Sequence, residues 1–225
     1  MSEAYKSATR GSERRPRRAA APGGPAQARE LRAQGRKTMQ RLLGAGLRVF
    51  SDRGYHTARV DDIVRAGRTS HGTFYLYFAN KEDLLRALAV TCADELDAVA
   101  ASLGSVAPDD AGRDELRAFL ARFLATYDRY GPVIRAWMEG HVDDREVSRL
   151  GVQAFTNIAT ALGWRMREAG ADASDASVSA LMALLERFAY FMASRNLTFS
   201  RDDVLDTLAT CTHRGFFAAP RQLAS

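Results

Sequence analysis

Residues 54–85 read GYHTARVDDIVRAGRTSHGTFYLYFANKEDLL, and this stretch decides the architecture. Val60, Ile63 and Val64 recur at helical spacing, so a short helix is predicted over 60–66. Residues 67–69 make a tight turn, and a second short helix follows over 70–78. Phe74 and Phe78 are four apart and would pack on the core that holds Val60, Ile63 and Val64. Asn80 reads as an N-cap, with Glu82 and Asp83 in the first turn of a helix that begins at Lys81. Two short helices joined by a tight turn form a helix-turn-helix. The face expected to stay open carries His71, Gly72, Thr73, Tyr75 and Tyr77. Its start is small and polar, as suits a helix that meets base edges in a groove. Gly72 lacks a side chain where a backbone would approach DNA, the three hydroxyls suit phosphates, and Lys81 adds charge beside free backbone N–H groups.

The surrounding pattern is helical throughout, with no strand-type alternation and no internal repeat. Met39, Leu42, Leu43, Leu47 and Phe50 form one stripe, which predicts a helix over 36–53 stopped by Gly54. Leu84, Leu85, Leu88, Cys92, Leu96 and Val99 carry the next helix from 81 to about 102. Leu116, Phe119, Leu120, Phe123, Leu124 and Tyr127 mark another, ended by Gly131-Pro132, after which a short helix holds Val133, Ile134, Trp137 and Met138. Further helices are predicted over about 144–169, 175–195 and 202–217. The fold class is all-α with about nine helices. The expected division is a disordered basic arm over 1–35, a helix-turn-helix DNA-binding domain over 36–86, and an effector-binding and dimerisation domain over 87–225.

Charge supports that division. The 225 residues carry a formal net charge of +5. Residues 1–35 hold eight bases and three acids, residues 36–86 hold ten and five, and residues 87–225 hold fourteen and nineteen. The N-terminal third is therefore basic and the remainder mildly acidic, which suits a polyanionic partner held by one end. No apolar run reaches the ~18 residues that read as a membrane span. The first 18 residues have charge and no apolar core, unlike a secretory signal. Cys92 and Cys211 make neither a disulfide scaffold nor a zinc site, and both read as core residues in a reducing cytoplasm. His56, His71, His141 and His213 lack metal spacing, and no phosphate loop, nucleophile elbow or HExxH motif is present. No catalytic residue, metal or cofactor is expected.

The block from Gly54-Tyr55 through Asp62-Ile63 to the run 70–78 and Asn80–Leu84 resembles the DNA-binding domain of the TetR family of transcriptional regulators. The strict resemblance covers about a fifth of the chain. It implies that His71 occupies the variable base-reading position and Gly72 the close-approach glycine. Thr73, Tyr75, Tyr77 and Lys81 fall at phosphate-binding positions. Two departures concern phosphate contacts: Arg59 stands where the family has a capping threonine, and Arg68-Thr69 replace a Gly-Val turn, with Gly67 one place early. Arg59 and Arg68 are therefore added to the candidate phosphate contacts. The arm is longer than a minimal member needs, and its Arg14–Arg18 run could follow phosphates or enter a minor groove.

The resemblance also implies an effector cavity and a dimer. Candidate cavity residues are Phe119, Phe123, Tyr127, Trp137, Met138, Phe155, Trp164 and Phe188, with Glu139, His141, Arg165 and Glu186 for polarity. An ordinary helical core is the alternative for each aromatic residue. The last two helices are the dimerisation candidates, through Leu181, Leu185, Phe188, Met192, Leu205 and Leu208. The function so implied is a homodimeric regulator, most simply a cytoplasmic repressor released from a palindromic operator by a small apolar effector. An activator, a helical ligand-binding protein or enzyme with an incidental basic end, and a non-specific DNA-coating protein are the alternatives.

Overall fold

A computed structural model describes residues 33–138, 145–194 and 199–218. Its elements are α1 (Ala33–Arg53), α2 (Val60–Ala66), α3 (His71–Tyr77), α4 (Lys81–Ala101), α5 (Asp110–Met138), α6 (Arg145–Glu168), α7 (Asp175–Ser194) and α8 (Arg201–Phe216). All are helices, so the all-α expectation holds among the described residues. The helix starts follow from short polar side chains. Ser70, Asn80 and Ser200 accept from the backbone N–H groups of Thr73, Asp83 and Asp203, at the starts of α3, α4 and α8. Gly54 follows α1 with φ +76, and Gly170 follows α6 with φ +71, both in the left-handed conformation that ends helices.

One continuous core runs from Leu42 in α1 to Phe217 after α8. Helices α1, α2 and α3 form a head, and α5 to α8 form a body. Helix α4 belongs to both, because it packs on α1 at one end and on α5 and α6 along its length. The α1–α4 crossing is close: a Cβ on Gly46 would come within 2.4 Å of Leu84 Cδ2. On the body side, Tyr130 Oη donates to Glu95 Oε1 of α4 at 2.8 Å, and Arg129 pairs with the same oxygen at 2.9 Å. Arg117 of α5 ties α8 through Asp202 and Asp206.

Several elements differ from the sequence reading. Eight helices are described where about nine were predicted, because two predicted helices join as α5. Tyr130 has φ −107 and ψ 15, and the break falls there because Pro132 removes an N–H and disturbs the preceding turn. Residues 33–35, assigned to the arm, are the first of α1, where Thr38 Oγ1 bonds back to Gln34 O. The rest of the arm lies outside the described residues. Cys92 is buried, and burial pushes its thiol well above the ordinary range, but Cys211 is exposed rather than in the core.

The turn between α2 and α3 solves its geometry in an unusual way. Thr69 N–H reaches Val64 O at 3.0 Å and Arg68 N–H reaches Arg65 O at 3.2 Å. That pattern places Arg68 at the left-handed position, with φ 47. Gly67 keeps a right-handed φ of −82 and serves a different end. A Cβ there would sit 3.1 Å from Ile63 O and 3.4 Å from Ala45 Cβ, so the glycine lets α2 lie against α1. A left-handed conformation costs a non-glycine residue ~1–2 kcal/mol, partly offset by the greater freedom glycine loses on folding. Arg68→Gly is therefore predicted to stabilise the chain by about 0.5–1 kcal/mol, read as a higher urea midpoint with unchanged slope.

Candidate nucleic-acid interface

Helix α3 sorts its side chains by helical period. Phe74, Tyr77 and Phe78 are spaced three and four apart and turn inward, with Phe74 and Phe78 fully buried. His71, Gly72, Tyr75 and Leu76 form the outward stripe. Tyr75 is 56% exposed and Leu76 59%. Gly72 would meet nothing nearer than Ser70 Oγ at 3.9 Å if it carried a Cβ. Among the described residues no contact demands a glycine there, which suits the approach of an outside surface. Thr73 lies between the two faces, its Oγ1 3.0 Å from the capping Ser70 Oγ.

This geometry corrects two assignments. Tyr77 is only 6% exposed and not on the open face, since its ring shares the inward face with Phe74, three residues earlier. Leu76 was missed. The signal was available, because a residue four after Gly72 must share its face. Arg59 and Arg68 are both exposed, at the N-cap of α2 and in the turn before α3. Arg59 has no acceptor with which to cap. Asp62 caps in reverse instead, its Oδ2 accepting from Arg59 N–H at 3.2 Å. Beside them, His71 Nε2 lies 2.6 Å from Asp61 Oδ1 on α2.

Lys81 does something the sequence did not suggest. Its Nζ donates to three carbonyls of the α1–α2 connection: Tyr55 O at 3.1 Å, His56 O at 3.1 Å and Ala58 O at 3.2 Å. The ammonium also stands 4.8 Å from the centre of the Tyr55 ring. An ammonium has three hydrogens, and here each has a carbonyl. These bonds staple α4 to the head. Tyr55 Oη, reaching Glu82 Oε1 at 3.3 Å, adds to it.

The predicted effector residues scatter. Phe119, Phe123 and Tyr127 are fully buried along α5, with the rings of Phe119 and Phe123 stacked at 6.5 Å. They belong to the core. Burial, with Glu186 nearby, pushes the Tyr127 phenol up to about 12. Trp137 covers Gly151, and Phe155 packs half-buried on the core. Trp164 is 59% exposed over a groove beside α4, which Arg165 also lines. Met138 ends α5, but its side chain lies outside the described residues, as do Glu139 and His141. Of the predicted set, Phe188 and Glu186 do line a cleft of about 880 Å³ between α5 and α7. Arg135, Leu184, Arg187, Tyr190 and Phe191 complete its walls with Ala183. Burial holds the Glu186 carboxyl above its ordinary range.

The dimer assignment also needs correction. Leu181, Leu185, Leu205 and Leu208 are buried within their own chain, because the core of α7 and α8 claims them first. Phe188 and Met192 are half-buried. The outward positions are Ala176, Ala180, Ala183 and Leu184 on α7, and Thr207, Cys211 and Gly215 on α8.

A capped short helix behind a tight turn, set on a helical body, has the form of a helix-turn-helix protein. Residues 42–88 match the family model described as bacterial regulatory proteins, tetR family. The fatty acid metabolism regulator protein of Bacillus subtilis is 38% identical over 55 residues, 24% of this chain and 28% of that protein. The chain thus spans about a quarter of the length of the curated relatives it matches. The fold likeness is wider. A bacterial regulatory protein in the tetR family from Rhodococcus superposes with TM-score 0.64 over 82% of this chain and 99% of its own, at 15% identity. The regulator FadR of Bacillus subtilis, solved in complex with stearoyl-CoA, gives 0.51 over 81% and 99%, also at 15% identity. Residues 42–88 are thus similar in sequence to the tetR-family DNA-binding segment, and the described chain shares the fold of solved regulators of that family.

No helix among the described residues is long and apolar enough to cross a membrane. Among the same residues no group of three His, Cys, Asp or Glu side chains could hold a metal ion. Hydrogen bonds from a charged donor contribute ~1.5–3 kcal/mol each when well buried, and Lys81 is only partly so. Lys81→Met is predicted to destabilise the chain by about 2 kcal/mol, measured by urea denaturation. The slope of log affinity for DNA against log salt should change by less than the roughly one unit of a lost phosphate contact.

Proposed function

We propose that this protein is a homodimeric, ligand-responsive DNA-binding regulator that represses from a near-palindromic operator. The observation that carries the reading is the outward stripe of His71, Gly72, Tyr75 and Leu76 on a capped helix beside exposed Arg59 and Arg68. Small and polar residues at the start suit base edges, Tyr75 and Thr73 suit phosphates, and Leu76 suits a thymine methyl. Backbone N–H groups at the start of α4 lie alongside. Competition binding tests this on operator fragments recovered by genome-wide mapping. The full chain should prefer them over random DNA by ~10³ or more, and equal affinity would remove the regulator reading.

Dimerisation follows from the need to read two half-sites. We assign it to the outward faces of α7 and α8, where Ala176, Ala180, Thr207, Cys211 and Gly215 let helices of two copies approach closely. Ala180→Arg should then give a monomer by light scattering and lower operator affinity by about 100-fold or more, since one half-site holds alone. Val152→Arg, on the exposed face of α6, should leave both unchanged.

The effector belongs in the cleft between α5 and α7. Its apolar walls of Leu184, Phe188 and Phe191 suit an acyl chain, and Arg135 and Arg187 suit an anionic group. Glu186, the acid among the described lining residues, offsets them little, because burial favours its neutral form. The ligand class is therefore an amphipathic acyl anion, consistent with the stearoyl-CoA held by FadR of Bacillus subtilis. Arg135 also lines a second crevice with Phe50, Gly54, Tyr55 and His56 of the head. An anion that draws Arg135 toward the cleft favours one position of the head over another. The equilibrium moves only by the differential affinity so gained. Stearoyl-CoA should release the operator complex in a mobility assay, and octadecanol should not. Arg135→Ala should keep operator binding and lose most of the release.

A further inference from the structure

Asp61 is out of place on a face that meets DNA. A carboxylate there is repelled by the phosphates and costs affinity unless it serves another end. Its Oδ1 lies 2.6 Å from Nε2 of His71, and the two side chains come from different helices, α2 and α3. Both are well exposed, at 55% for His71 and 67% for Asp61. The bond from His71, aided by the charges of Arg65 and Arg59, holds the Asp61 carboxyl below its usual range, so it is ionised at neutral pH. An ionised carboxylate only accepts, so Nε2 is the donor and carries the proton. Only Nδ1 of the ring is then left to meet another molecule.

We propose that Asp61 is the positioning residue for a base contact made by His71: it holds the imidazole so that Nδ1, and not Nε2, faces the base edge. This rests on the DNA-reading function proposed above. Asp61 itself touches no base. An unheld histidine presents either nitrogen at different reach and angle, which blurs discrimination, whereas a held ring loses little freedom on binding. The arrangement has two effects of opposite sign. Asp61 lowers affinity for all DNA through its charge, and it raises preference at one base pair of each half-site. A purely structural role for Asp61 produces no such pair.

The test is a scan of every base pair of a half-site against the full-length protein, with thermal unfolding to confirm that each variant is folded. At one position the wild type should prefer its base by about 10-fold, the scale of one specific contact. His71→Ala should flatten that position alone. Asp61→Ala should flatten the same position to about 2-fold or less while binding random DNA more tightly, as loss of a repelled charge requires. The double variant should be no flatter than His71→Ala. His71→Asn, whose amide reaches only the place of Nδ1, should keep the preference with or without Asp61, and His71→Gln should not. The inference is overturned if Asp61→Ala keeps the wild-type preference, if Asp61→Ala further changes base preference in the His71→Ala background, or if His71→Gln retains the contact and His71→Asn loses it. A wild type without preference at any position would instead overturn the DNA-reading function, and this inference with it.

Discussion

The Lys81 ammonium is the junction on which the rest of the structure depends. Three backbone carbonyls of the α1–α2 connection converge on it, and each takes one of its hydrogens. Carbonyls that end a helix or line a connection must find donors somewhere. Here one side chain at the first position of α4 supplies three. The head is thereby fixed to the start of the helix that also runs through the body. The Tyr55 ring beneath the ammonium and the Gly46–Leu84 contact make the same joint from the apolar side. A tilt of α4 cannot leave the head behind.

That joint gives the molecule its mechanical sense. Helix α3 reads outward from a base set by α1 and α2, and α4 carries that base. The far end of α4 is held by Glu95, which takes bonds from Tyr130 and Arg129 close to the break in α5. Beyond the break stands Arg135, shared by the cleft against α7 and the crevice against the head. The elements that would sense a ligand and those that would read DNA thus meet over a short distance. No long chain of contacts has to be invoked between them.

Much of this was legible in the sequence, and the failures have physical reasons. The bounds of α2 were read correctly, because apolar spacing, a turn glycine and a following cap agree there. Tyr77 was misplaced because its hydroxyl drew more weight than its spacing from Phe74, which puts the ring inside. Leu76 was overlooked for the converse reason: an exposed leucine has no polar signal. The role of Lys81 could not be read, because its partners are backbone carbonyls more than twenty residues earlier. Leu181, Leu185, Leu205 and Leu208 mark apolar faces correctly, but apolarity does not say whether a face meets its own chain or another copy. Phe119, Phe123 and Tyr127 show the same ambiguity between core and cavity. The Asp61–His71 contact joins two helices across the turn, and no local pattern encodes it.

The central claim is that α3 enters the major groove and does so twice, once from each copy. Methylation protection of guanine N7 on operator DNA tests that geometry directly, since N7 lies in the major groove. The account predicts two protected patches related by a dyad, with centres about one helical turn of ~10–10.5 base pairs apart or a multiple of it. Protection that is uniform along the fragment, or absent from the major groove while the protein remains bound, would contradict it.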